Sequence, residues 1–132
     1  MSQQNVEIVR LAFQAHQRRD DETVFALYDP AIEIEDHPDV RRPASYCGFK
    51  GVRDFFRDRL AVFPLQDVEV EEWIDAGDHV IAMLHVRARG GESGVPLDFH
   101  QAHVWTVQNG KLTRLRVYQK KAAALEAVGL SE

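Results

Sequence analysis

The sequence predicts an α+β fold in which three N-terminal helices pack on a strongly curved, mostly antiparallel sheet. Three observations predict it. Apolar residues over the first half of the chain recur at intervals of three and four, apart from one short alternating run. From Val68 onward the period becomes two, over four long runs separated by "DAGD", "GGESG" and "QNG". Asn109-Gly110 then joins the last two runs as a type I′ hairpin, since both residues tolerate positive φ. A chain of 132 residues, nearly half of it apolar, can bury one core and is too short for two, so residues 1–132 read as a single domain.

The elements follow in order. Val6, Val9, Ala12, Phe13 and His16 form the apolar stripe of a first helix that ends near "RRDD". Asp20 or Asp21 caps a second, short helix burying Val24, Phe25, Leu27 and Tyr28. Residues 32–36, "IEIED", alternate as a strand and carry Asp36 to the same side as Ile32 and Ile34. Either the strand ends there and Asp36 turns out to water, or a carboxylate heading for a core is a site. "PDVRRPASYCGFKG" has no period and is long enough to rim a pocket. "GVRDFFRDRLAVF" is a third helix with Val52, Phe55, Phe56, Leu60 and Phe63 inward and its Arg and Asp residues outward, stopped by Pro64.

Counting outward from Asn109-Gly110 pairs Val107 with Leu112, Trp105 with Arg114, Val104 with Leu115, Ala102 with Val117 and His100 with Gln119. The inner face of this hairpin is then Asp98, His100, Ala102, Val104, Thr106, Leu115, Val117 and Gln119. The outer face holds Gln101, His103, Trp105, Arg114, Arg116 and Tyr118. With Trp73 and His85 these make an aromatic and basic surface that predicts a homodimer through the sheet.

Composition excludes several classes. A net charge of −5 with scattered Lys and Arg attracts neither nucleic acid nor an anionic membrane. No window approaches a membrane span, and "MSQQNVEIVR" lacks a leader's pattern, so the expectation is a soluble, cytoplasmic protein. The single cysteine, Cys47, fits a reducing compartment and reads as structural. No phosphate loop, nucleophile elbow or dinucleotide fingerprint is present, and no cofactor is expected. "HQAH" is not a metal motif on a strand, where residues three apart face opposite ways, and no metal site is expected in the protein.

"ALYDPAIEIED", "GFKGVRDFFRD", "GESGVPLDF" and "HVWTVQNGKLTRLRVY" running into "AAALEAVGL" carry a resemblance over nearly the whole chain. The sequence resembles the SnoaL-like and ketosteroid-isomerase-like proteins of the nuclear-transport-factor-2-like superfamily. The resemblance implies a cone-shaped α+β barrel, and a superfamily of isomerases, cyclases, epoxide hydrolases, dehydratases and domains that only bind or dimerise. It places Asp36, or Glu35 one residue earlier, where ketosteroid isomerases keep their base. Tyr28 matches one tyrosine of their set, while Phe13 and Phe56 replace two others. Ala102 replaces their second acid in this register; a gap of one residue would bring His103 there instead. The enolate-binding donor is missing, and "YQKK" lacks the acid many SnoaL-like relatives carry.

Two readings follow. In the first, Asp36 is a base and His100 its acid partner in cofactor-independent proton transfer on a small carbonyl compound. Phe13, Tyr28, Phe56, Asp98, Ala102, Val104, Leu115, Val117 and Gln119 line that site. In the second, the same cone binds a small hydrophobic ligand or dimerises without chemistry. Epoxide hydrolysis stands third. The first reading requires Asp36 and His100 to face one volume; a His100 turned outward transfers the choice to the second.

Overall fold

The computed structural model describes residues 2–36, 44–62, 65–89 and 94–130. Helices α1 (Ser2–Gln17) and α2 (Asp21–Leu27) precede strands β1 (Tyr28–Asp36) and β2 (Ser45–Cys47). Helix α3 (Gly48–Val62) leads into β3 (Leu65–Ala76), β4 (His79–Arg89), β5 (Pro96–Gln108) and β6 (Lys111–Tyr118), and α4 (Lys121–Ala127) follows. The architecture is α+β, with one curved sheet of order β2-β1-β6-β5-β4-β3. β1 runs parallel to β6 and every other pairing is antiparallel. His37 and the first part of the expected rim loop, positions 38–43, lie outside the described residues, while the rest of that loop forms β2 and the start of α3. Among the described residues no helix is long and apolar enough to cross a membrane.

Local chemistry sets the helix boundaries. Asp20 caps α2, accepting from the Thr23 amide at 3.2 Å and the Thr23 hydroxyl at 2.7 Å. Tyr28, expected in that helix, instead opens β1. The first core gathers Val9, Ala12 and Ala15 of α1, Val52 and Phe55 of α3, and Ile32, Ile34, Trp105, Leu115 and Val117 of the sheet. Each fully buried Val, Leu, Ile or Phe side chain there contributes about 1.5–3 kcal/mol.

The hairpin register differs from the expected one by a single residue. Val107 does pair with Leu112, but Thr106 pairs with Arg114, leaving Thr113 as an extra residue. Beyond this bulge Trp105 lies opposite Leu115, His103 opposite Val117 and Ala102 opposite Tyr118. Leu115 and Val117 therefore face inward as expected, whereas every β5 assignment inverts. Trp105, His103 and Gln101 turn in; His100, Ala102, Val104 and Asp98 turn out. Trp73, opposite Ala82, is also inside. The physical reason is apolar burial: Leu112 and Leu115 are three apart, so both reach the core only if one residue between them is out of register.

The outer face is partly covered by α4, which the alternating pattern did not predict. Ala124 and Leu125 pack on Ile81, Ala102, Val104 and Tyr118 as a second core.

Candidate active site

The parallel pairing of β1 with β6 sets Asp36 beside Val117, and the antiparallel pairing of β6 with β5 sets His103 on the other side of Val117. Ala82 and Trp73 continue this inward row across β4 and β3. Asp36 is thus a side chain of the inner face, half-buried, as the alternation predicts. Glu35 points the other way and pairs with Arg114.

Arg59 completes the arrangement from α3. It follows Val52, Phe55 and Phe56 at helical spacing, so it shares their inward stripe rather than the outward position expected of the arginines of this helix. Its guanidinium sits 5.4 Å from the Phe55 ring centroid and donates to Gln101 Oε1 at 2.9 Å. His16 arrives from α1 in the same way, with its ring 3.9 Å from that of Phe56.

The electrostatics of these groups are mutual. Burial pushes the Asp36 carboxyl above its ordinary range, and the Arg59 charge pulls it partly back. Burial in turn lowers Arg59, opposed by Asp36 and Tyr46. His103 is forced down to about 3, chiefly by burial and secondarily by Arg59, so it is a neutral imidazole at physiological pH. His16 is lowered by burial as well. Tyr46 donates to Asp58 at 2.9 Å, and its hydroxyl is raised first by burial and then by that bond. His103 Nε2 is buried with no hydrogen-bond partner among the described residues.

The other expected site residues divide. Phe13 meets Trp73 edge-on, ring centroids 6.4 Å apart, and Phe56 packs on His16, so both border the inner face. Tyr28 is buried at the opposite end of β1 against Trp105, ring centroids 5.9 Å apart, and does not join the polar group. Ala102 and Val104 lie under α4. Gln119 is exposed beyond β6. Asp98 and His100 are exposed on the outer face, where Asp98 bonds His85. The Asp36–His100 pair is therefore replaced by Asp36 with His103, the alternative that a one-residue gap would produce. Arg59 and Gln101 were missed. For Arg59 the signal was its phase, seven residues after Val52; Gln101 depended on the bulge. Two surface recesses, of about 560 Å³ near Ala88 and Leu97 and about 310 Å³ near Tyr46 and Cys47, have neither Asp36 nor His103 in their walls.

Such a group offers a partly desolvated carboxylate, a guanidinium and a neutral imidazole around an apolar floor. It can orient an oxygen-bearing molecule, and the carboxylate can accept a proton.

A family model described as a SnoaL-like domain matches residues 9–115. A putative SnoaL-like polyketide cyclase from Jannaschia sp. CCS1 is 19% identical, with 100% of this chain and 96% of that one covered and a TM-score of 0.78. An NTF2-like protein from Burkholderia thailandensis E264 is 25% identical over 87% of this chain and 89% of the other, TM-score 0.76. TerC, co-crystallised with polyporic acid, is 20% identical over 95% and 98% of the two chains, TM-score 0.75. No curated protein matches the sequence significantly. The matched region spans most of the chain, and the protein belongs to the SnoaL-like domain family.

Proposed function

We propose that this protein binds one small, mostly apolar molecule bearing a carbonyl or similar oxygen at the Asp36 end of the sheet's inner face, without a cofactor. The observation that carries the reading is His103 Nε2, buried without a hydrogen-bond partner among the described residues, in a row with Asp36 and beside Arg59. A buried polar atom left unpaired costs about 1–3 kcal/mol, and a ligand oxygen or hydroxyl relieves that cost. Val117 and Trp73 supply the apolar contact. That a structural neighbour, TerC, has been co-crystallised with polyporic acid agrees with small-molecule binding in this fold.

Acetophenone and its isostere ethylbenzene test the proposal, with binding followed by amide NMR shifts. Acetophenone should bind at least fivefold tighter and shift the amides of residues 36, 101, 103 and 117. Equal affinity for the two, or shifts confined to other residues, would exclude it.

A second reading is proton transfer, with Asp36 as base. The raised Asp36 carboxyl favours it, since a base closer to neutrality is matched to abstraction beside a carbonyl. His103, neutral and across Val117, stands where the acid partner was expected and can donate a hydrogen bond to the developing enolate oxygen, but it holds no imidazolium proton to transfer. Exchange of acetophenone methyl protons in D2O above the buffer rate, lost in Asp36→Asn, supports catalysis; exchange at the buffer rate leaves binding alone. The reading extends to a cytoplasmic homodimer through the outer face, for which Arg114 and Arg116 remain outside while Tyr118 is covered by α4.

A further inference from the structure

Three metal-competent donors converge on the outer face, on the other side of the sheet from Asp36 and His103. His85 lies directly opposite His100 on the neighbouring strand, and their rings stack with centroids 4.4 Å apart and planes 10° from parallel. Edge strand β3 supplies Glu71. Its pairing with β4 slips between Val70 and Glu72, so Glu71 is the extra residue of a bulge, a device that re-aims side chains. The Glu71 carboxylate reaches to 3.2 Å from His100 Nε2 and 3.8 Å from His85 Nδ1. One donor atom from each of the three residues lies within 4.8 Å of the others.

Asp98 makes this more than a surface cluster. Its carboxylate sits 2.6 Å from His85 Nε2, which must therefore carry a proton to donate. In a neutral His85 the remaining nitrogen, Nδ1, then presents its lone pair toward the Glu71 carboxylate, acceptor against acceptor. A positive charge between them removes the conflict. A second proton on His85 would do so for that ring alone, while stacking an imidazolium on His100. A divalent cation serves Nδ1, Nε2 of His100 and the carboxylate at once.

We propose that Glu71, His85 and His100 bind a divalent transition-metal ion of the zinc class, with Asp98 orienting His85 from behind. Two imidazoles and one carboxylate suit zinc and its neighbours rather than calcium or magnesium, which prefer oxygen alone. A carboxylate behind a ligating imidazole fixes the tautomer and raises its basicity. At metal–nitrogen distances of about 2.1 Å, tetrahedral donors stand roughly 3.4 Å apart. The site therefore closes by a little over an ångström, and the His100 ring turns about its Cβ–Cγ bond until its plane contains a metal lying in the plane of the His85 ring. Side chains of Glu71 and His100 are 43% and 57% exposed and free to turn; His85, at 13%, is the anchor.

The test is a Zn2+ titration of untagged, chelator-stripped full-length protein by calorimetry, with Co2+ absorption as a second readout. One ion per chain should bind in about the micromolar range or tighter. Glu71→Gln and His100→Ala should each weaken binding at least tenfold, and Asp98→Asn about tenfold. His79→Ala, which removes another outer-face histidine, should bind as wild type. No binding at about 100 µM Zn2+, or wild-type affinity in His100→Ala, overturns the proposal.

Discussion

Asp36 and His103 stand on either side of Val117 on one face of the sheet, two strands apart. Strand spacing puts their backbones about 10 Å from each other, so their side chains can contact one small molecule resting on Val117. Burial moves both groups toward their neutral forms, and the stability consequences have opposite signs.

For Asp36 the folded pKa is raised, so the carboxylate costs stability above that pKa and the cost vanishes as pH falls. Asp36→Asn should therefore fold normally and gain on the order of 0.5 kcal/mol at neutral pH, the gain being small because the half-buried carboxylate is screened. Urea midpoints of the two proteins should converge toward pH 4. An Asp36 that titrates in its ordinary range by NMR would return it to a solvated strand end.

For His103 the folded pKa is depressed from 6.5 to about 3. Its contribution is complete above about pH 6.5 and is lost as pH falls through that window, because the unfolded chain then binds the extra proton. Between pH 7 and pH 4 this amounts to on the order of 3 kcal/mol. His103→Gln should flatten the acid limb of the stability curve by a comparable amount. An unchanged limb would place His103 in water.

Arg59 holds the Asp36 carboxyl down, so Arg59→Met should raise the Asp36 pKa further, measured by carboxyl NMR titration. Gln101 loses its bond to the guanidinium in the same variant. A pKa that does not move would separate Arg59 from Asp36.

Trp105 is inside, 8% exposed, so Trp105→Arg should prevent folding rather than report on assembly. Arg116→Glu tests the outer face instead: light scattering should find a dimer in the wild type and a weaker one in the variant. A wild-type monomer at micromolar concentration removes the dimer.

The Thr113 bulge keeps Leu112 and Leu115 on one side. Deleting Thr113 should slip the register and turn Leu115 and Val117 outward, giving insoluble or unfolded protein. Thr113→Ala keeps the extra residue, so it should cost less than about 1 kcal/mol by thermal melting.

The helical stripes, the alternation that carries Asp36 inward and the Asn109-Gly110 turn were legible in the sequence, because each is a local repeat that one face of an element imposes on its own residues. Period alone also placed Leu115 and Val117 inside. Which of His100 and His103 joined them was decided by the tertiary structure. One extra residue inverts a whole strand, and its presence depends on what the helices bury, not on hairpin chemistry. The same holds for α4, a short helix formed where the outer face of β5 offered an apolar seat. Arg59 lay between: its phase was written in α3, but a charge on an apolar stripe becomes a site only when Asp36 and Gln101, distant in sequence, are brought within its reach.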